Sequence, residues 1–89
     1  MNAARKDYTE ALILFLDLLK YRPDDAGAHY NIACMYSRLE QVDESIAWLK
    51  KAIDKGYHNW KAIKLDSDLD NIRNALEYRK LIDVHYINP

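Results

Sequence analysis

Residues that break helices are nearly missing from this chain: two glycines and two prolines among 89 residues. That scarcity excludes a collagen-like, low-complexity or linker-rich polypeptide, and it lets each Gly or Pro be read as punctuation. A single cysteine, Cys34, excludes an internal disulfide. The fold therefore owes nothing to an oxidising compartment, and a reducing cytoplasm is the expected location. Neither sign of charge is in excess. Thirteen basic residues against fourteen acidic ones leave a net charge of -1, too little to gather nucleic acid or an anionic membrane, so neither is expected as a partner. The longest apolar run, Ala11 to Leu16, stops at Asp17, far short of the roughly 20 residues a membrane span needs. No basic segment with a small-residue cleavage site precedes it, and no signal peptide is expected.

What the chain does contain is 49% hydrophobic residues, with seven Tyr and two Trp, the composition of a folded domain and not of a disordered one. Its length fits one domain with a thin core, burying only about 60% of the unfolded surface. Tyr8, Ala11, Leu12, Phe15, Leu18 and Leu19 recur at helical spacing, which predicts a helix over residues 3–21. Pro23 disfavours helical geometry at Arg22, and Asp24 or Asp25 can accept bonds from the amides that open the next helix. That second helix, 26–39, turns Tyr30, Ile32, Ala33 and Tyr36 inward. Glu40-Gln41 is a short connection that forces an antiparallel neighbour. A third helix, 43–55, carries Val42, Ile46, Leu49, Ala52 and Ile53 on one face, with Gly56 where a left-handed C-cap is wanted. Residues 60–65 make a short helix, Ser67 and Asp70 open a turn that runs to Arg73, and Asn74 with Glu77 reads as a capping box before a last helix over 75–86. No stretch alternates with period two, so the fold class is all-α with about five helices in antiparallel pairs and no sheet.

A shift of 34 residues lays the first helix on the third: Tyr8 on Val42, Ala11 on Ser45, Leu12 on Ile46, Phe15 on Leu49, Leu18 on Ala52 and Leu19 on Ile53. With this period, with Ile32-Ala33-x-x-Tyr36 in the second helix and with Ala11-x-x-x-Phe15 closed by Pro23, the chain resembles the tetratricopeptide repeat family. The resemblance divides the chain into the second helix of a partial repeat (1–25), one full repeat (26–59), and a closing segment with a terminal helix (60–89). Ala33, Ser45 and Ala52 are the small residues needed where two helices cross at close range. Departures fall at His29, Glu40 and Tyr57, where the family favours Trp, a small residue and Pro. From Trp60 the match fails, because Asp66, Ser67 and Asp70 stand where inward apolar and small residues belong; this segment resembles the tail that closes some arrays, implying a C-terminal cap.

The family implies an α-solenoid scaffold that binds a peptide or protein partner in a concave groove. Tyr30, Asn31, Cys34, Ser37 and Arg38 correspond to groove positions, and Lys61 and Lys64 continue them. A carboxylate clamp of the family's type is matched by Asn31 and Lys61 only, since Leu65 replaces an expected Arg. The first helix is apolar over more than half its circumference. Ala11, Ile13, Leu14 and Leu18 extend beyond the stripe one neighbour needs. Those four residues form a second candidate interface. They suit self-association as a homo-oligomer, docking to another protein, or the missing first helix of a longer tetratricopeptide protein. No catalysis is expected. His29, His58 and His85 are too far apart for an i, i+4 metal pair, Cys34 has no second thiol at ligand spacing, and neither metal nor cofactor is anticipated. The acidic run Asp66, Asp68, Asp70 lacks the Gly and distant Glu of a calcium loop and reads as helix capping. Tyr8, Tyr36 and Trp48 are expected in helix packing, with Tyr57, Trp60 and Tyr78 pinning the closing segment to the third helix.

Overall fold

In the computed structural model, which describes residues 2–84 and the side chains of 5–84, helix boundaries follow from local capping chemistry. Helix α1 spans Asn2–Leu18. It stops three residues short of the predicted end, because the chain tightens there into i→i+3 turns, Lys20 N to Asp17 O at 3.1 Å and Tyr21 N to Leu18 O at 3.0 Å, ahead of the restriction that Pro23 places on Arg22. Asp25 Oδ1 then accepts from Ala28 N at 3.0 Å and opens α2, Ala26–Arg38.

Helices α2 and α3 (Val42–Asp54) end with the same device. After α2, Gln41 N bonds Tyr36 O and Glu40 N bonds Ser37 O, both at 2.9 Å. After α3, Tyr57 N bonds Ala52 O at 2.9 Å and Gly56 N bonds Ile53 O at 3.0 Å. This pair of bonds returns the chain through one left-handed residue: Gly56 at φ 107°, as anticipated, and Glu40 at φ 62°. A side chain at the second position costs about 1 kcal/mol relative to unstrained backbone.

Beyond Gly56 come α4 (Trp60–Leu65), capped by Asn59 Oδ1 on Ala62 N, then a 3₁₀ turn over Ser67–Leu69, and α5 (Leu76–Ile82). The turn is capped by Asp66, whose Oδ1 accepts from Asp68 N at 2.9 Å, not by Ser67. The expected Asn74–Glu77 capping box does not form. Ala75 is the N-cap of α5, in extended geometry, and no side chain caps it. The cause is Ile72, which is fully buried and whose carbonyl accepts from Ala75 N at 3.0 Å; the turn that buries it delays the helix past Asn74. The predicted extension of this helix to 86, and His85, fall partly or wholly outside the described residues. Among the described residues there is no strand, so the all-α class holds.

The helices stack in the order α1, α2, α3, with the closing segment laid across the far side of α2 and α3. Small residues sit where α2 and α3 cross: Ala33, Ser45 and Ala52 are fully buried, and Ser45 Oγ donates to Ala33 O at 2.7 Å. Around them Tyr30, Cys34, Ile46 and Leu49 join Ile63, Leu69, Ile72, Tyr78 and Ile82 in the main core. A smaller core joins α1 to α2 through Leu12, Ile32 and Leu39, with Tyr8, Phe15, Tyr36 and Trp48 packed around it. No described helix is long and apolar enough to cross a membrane.

Candidate functional site

The side chains of Tyr30, Asn31, Cys34, Ser37 and Arg38 fall within about a third of the circumference of α2 at roughly 100° per residue. The structure separates them into two groups. Four lie against the closing segment. Tyr30 donates its hydroxyl to Asp66 Oδ2 at 2.8 Å, and its ring stacks on Tyr57 with centroids 4.2 Å apart. Arg38 Nε donates to Asp68 Oδ1 at 2.7 Å and its Nη2 to Ser67 Oγ at 3.2 Å. Asn71 Nδ2 donates to the carbonyl of Ser37 at 2.8 Å, and Cys34 and Ser37 are buried. Asn31, together with Lys61 and Lys64 on α4, is exposed to solvent.

Tyr57 thus pins the closing segment through α2, not α3, while the Tyr78 hydroxyl donates to Ile63 O at 3.2 Å. Arg73 ties the closing segment together from within. Its Nη2 donates to Ile63 O at 3.0 Å and to Asp66 O at 2.9 Å, and its Nη1 pairs with Asp70. An Arg that serves backbone carbonyls has no spacing signature, so only the fold reveals it.

Burial pushes the Cys34 thiol up to about 12 from an ordinary 9.0, with the Asp66 carboxylate adding to the effect. Tyr30 is raised for the same leading reason. A ligand atom from each of Cys34, Asp66 and Asp68 lies within 4.8 Å of the others. These carboxylates are already acceptors for Tyr30, Asp68 N and Arg38; the Asp68 N bond is the helix cap, and the other two tie the segment to α2. Because the folded thiol holds its proton more tightly than the unfolded one, its contribution is complete below about pH 9 and is lost as pH rises toward 12. Urea midpoints measured from pH 8 to 11 should therefore fall above pH 9, and the fall should shrink in Cys34→Ala.

A second surface lies on α1. Leu14 is 70% exposed, Ile13 59% and Leu18 37%, beside a half-buried Ala11. A third, unanticipated, is a groove of about 450 Å³ between α3 and α5. Ile46, Ala47, Leu81 and Val84 give it apolar walls, and Lys50, Lys80 and Glu77 supply its charges. Ile46 and Lys50 share one flank of α3 in the sequence, but their opposite wall comes from a helix whose placement the period does not encode.

A family model described as a tetratricopeptide repeat matches residues 26–54, the span of α2 and α3. A chloroplastic protein of Arabidopsis thaliana is 38% identical over 87 residues, covering 91% of this chain and 26% of that protein. The chain therefore spans about a quarter of the length of that relative. No solved structure matches. The relative is a chloroplastic protein, which overturns the expectation of a cytoplasmic location and points to the plastid instead. The cysteine count speaks to redox state alone, and a reducing compartment is not thereby the cytoplasm.

Proposed function

Starting from its membership of the tetratricopeptide repeat family, carried by residues 26–54, we propose that this chain captures an extended acidic segment of a protein partner through the exposed side chains of Asn31, Lys61 and Lys64. Repeats of this family are protein-interaction units, and their chemistry is binding and not catalysis. The reading rests on one observation: the closing segment covers the other groove positions of α2, while Asn31, Lys61 and Lys64 are exposed to solvent. An Asn amide offers a donor and an acceptor to a peptide backbone, and two ammonium groups favour carboxylates over neutral side chains.

Peptides selected from a random displayed library against the folded chain supply the test. They should be rich in Asp, Glu or a free C-terminal carboxylate. Asn31→Ala and Lys61→Glu should each weaken them roughly tenfold or more, with thermal midpoints unchanged. Peptides indifferent to both substitutions but displaced by Leu14→Lys would overturn the groove reading. They would favour a second one, in which the chain is an assembly element or part of a longer array and docks through α1. The exposure of Ile13, Leu14 and Leu18 motivates that alternative.

A further inference from the structure

We infer that the exposed face of α1 in one copy of this chain seats in the α3–α5 groove of a second copy, so that copies add head to tail. The inference rests on the second reading above and names its partner. At about 100° per residue, Leu14 and Leu18 occupy an arc of α1 whose charged members are Asp7, Glu10 and Asp17, all exposed. Asp17 also pairs with Lys20 at 3.1 Å. Asp7 lies in line with the two leucines about two turns before Leu14, and Glu10 and Asp17 lie along one side, so the ridge is apolar at Leu14 and Leu18 and acidic at its N-terminal end and along that one side. The groove is its complement: apolar walls from Ile46, Ala47, Leu81 and Val84, with Lys50 and Lys80 beside them and one acid, Glu77. Apolar contact supplies the attraction, and opposite charges fix the register.

The two surfaces cannot meet within one copy. Trp48 of α3 packs into the cluster shared with α1, whereas Ile46, Ala47 and Lys50 line the groove on the other flank of the same helix. Ridge and groove therefore face outward at opposite ends of the helix stack. A contact between unlike surfaces is heterologous, and it propagates or closes into a ring instead of stopping at two. Helix stacking would then continue from copy to copy as it does from repeat to repeat.

Sedimentation velocity of the 89-residue chain from micromolar to millimolar concentration tests this. The mass should rise with concentration without a plateau at the dimer. Leu14→Asp blocks the ridge and Lys50→Glu/Lys80→Glu the groove; each should weaken association roughly tenfold or more. All three positions are exposed, so circular dichroism and thermal midpoints should be unchanged. Mixed together, the two variants retain one good ridge and one good groove, and should give heterodimers and nothing larger. A chain that stays monomeric throughout overturns the inference and assigns the ridge to a helix of the same polypeptide or to a different protein. A closed dimer broken by Leu14→Asp but not by the lysine reversals also overturns it, while leaving α1 as a docking face.

Discussion

Leu49→Ala is expected to destabilise the chain by about 3–4 kcal/mol, lowering its thermal midpoint by roughly 15 °C or more. Leu49 has no exposed surface, and it lies in a cluster drawn from α2, α3, α4, α5 and the turns between them. Truncation removes apolar contact and leaves a cavity, and the cost then depends on how far the surroundings collapse. Here they are poorly placed to collapse. Ala33, Ser45 and Ala52 already bring α2 and α3 to close approach, tied by the Ser45–Ala33 bond at 2.7 Å. The backbones cannot move further inward, so the cost falls in the upper half of the usual range for such substitutions. In a domain whose total stability is on the order of 5 kcal/mol or somewhat more, the variant sits close to its unfolding midpoint at 25 °C. Leu14→Ala is the matched control. The same atoms are removed from a side chain that is 70% exposed, and the loss should stay below about 0.5 kcal/mol. Urea unfolding followed by circular dichroism compares them. A Leu49→Ala loss under about 1 kcal/mol would show that the main core is looser than its packing implies.

The contrast between those two leucines shows what the sequence encodes well. Periodicity placed Leu49 inward and marked α1 as too broadly apolar for one neighbour, because side chains at fixed angular steps around a helix declare their faces without reference to tertiary structure. The 34-residue shift carried the repeat, and Pro23, Asp25 and Gly56 marked its joints through local backbone chemistry. The closing segment was harder to read. Asn74 and Glu77 stand at capping-box spacing, yet burial of Ile72 sets the chain direction there and the box does not form. Tertiary packing outweighs a cap whose contribution is about 1 kcal/mol. Helical spacing puts the groove positions of α2 on one face, but Asp66, Asp68 and Asn71 cover most of it. Those contacts join residues about thirty or more positions apart, and no local pattern announces them. The α3–α5 groove likewise joins residues about thirty or more positions apart and has no local pattern.

Arg73→Met is expected to cost about 2–3 kcal/mol and to loosen the closing segment selectively. The substitution keeps an apolar stem against the core and removes only the donors. Arg73 Nη2 serves the carbonyls of Ile63 and Asp66 at the end of α4, where carbonyls lack partners within the helix. The Asp70 contact is exposed on its acidic side and adds little, so the loss comes from the two carbonyls, half-buried and left without their charged donor. Arg73→Lys keeps the charge but not the planar fork, and should recover no more than half of the loss. Hydrogen exchange locates the effect: the amides of Leu69, Ile72 and Ala75 should exchange faster, while those at the centre of α2 and α3 keep their protection. Cys34 provides the second readout. It is buried beside Tyr30 and Asp66, with its thiol held protonated, and in the native chain it should react with a disulfide reagent at pH 8 only through opening of this segment. In Arg73→Met that opening is easier, and labelling should accelerate roughly thirtyfold or more if each kcal/mol of local stability is lost from the closed state alone. Labelling at the native rate, with exchange equally unchanged, would mean that Tyr30, Arg38 and Asn71 hold the segment by themselves and that Arg73 only decorates its edge.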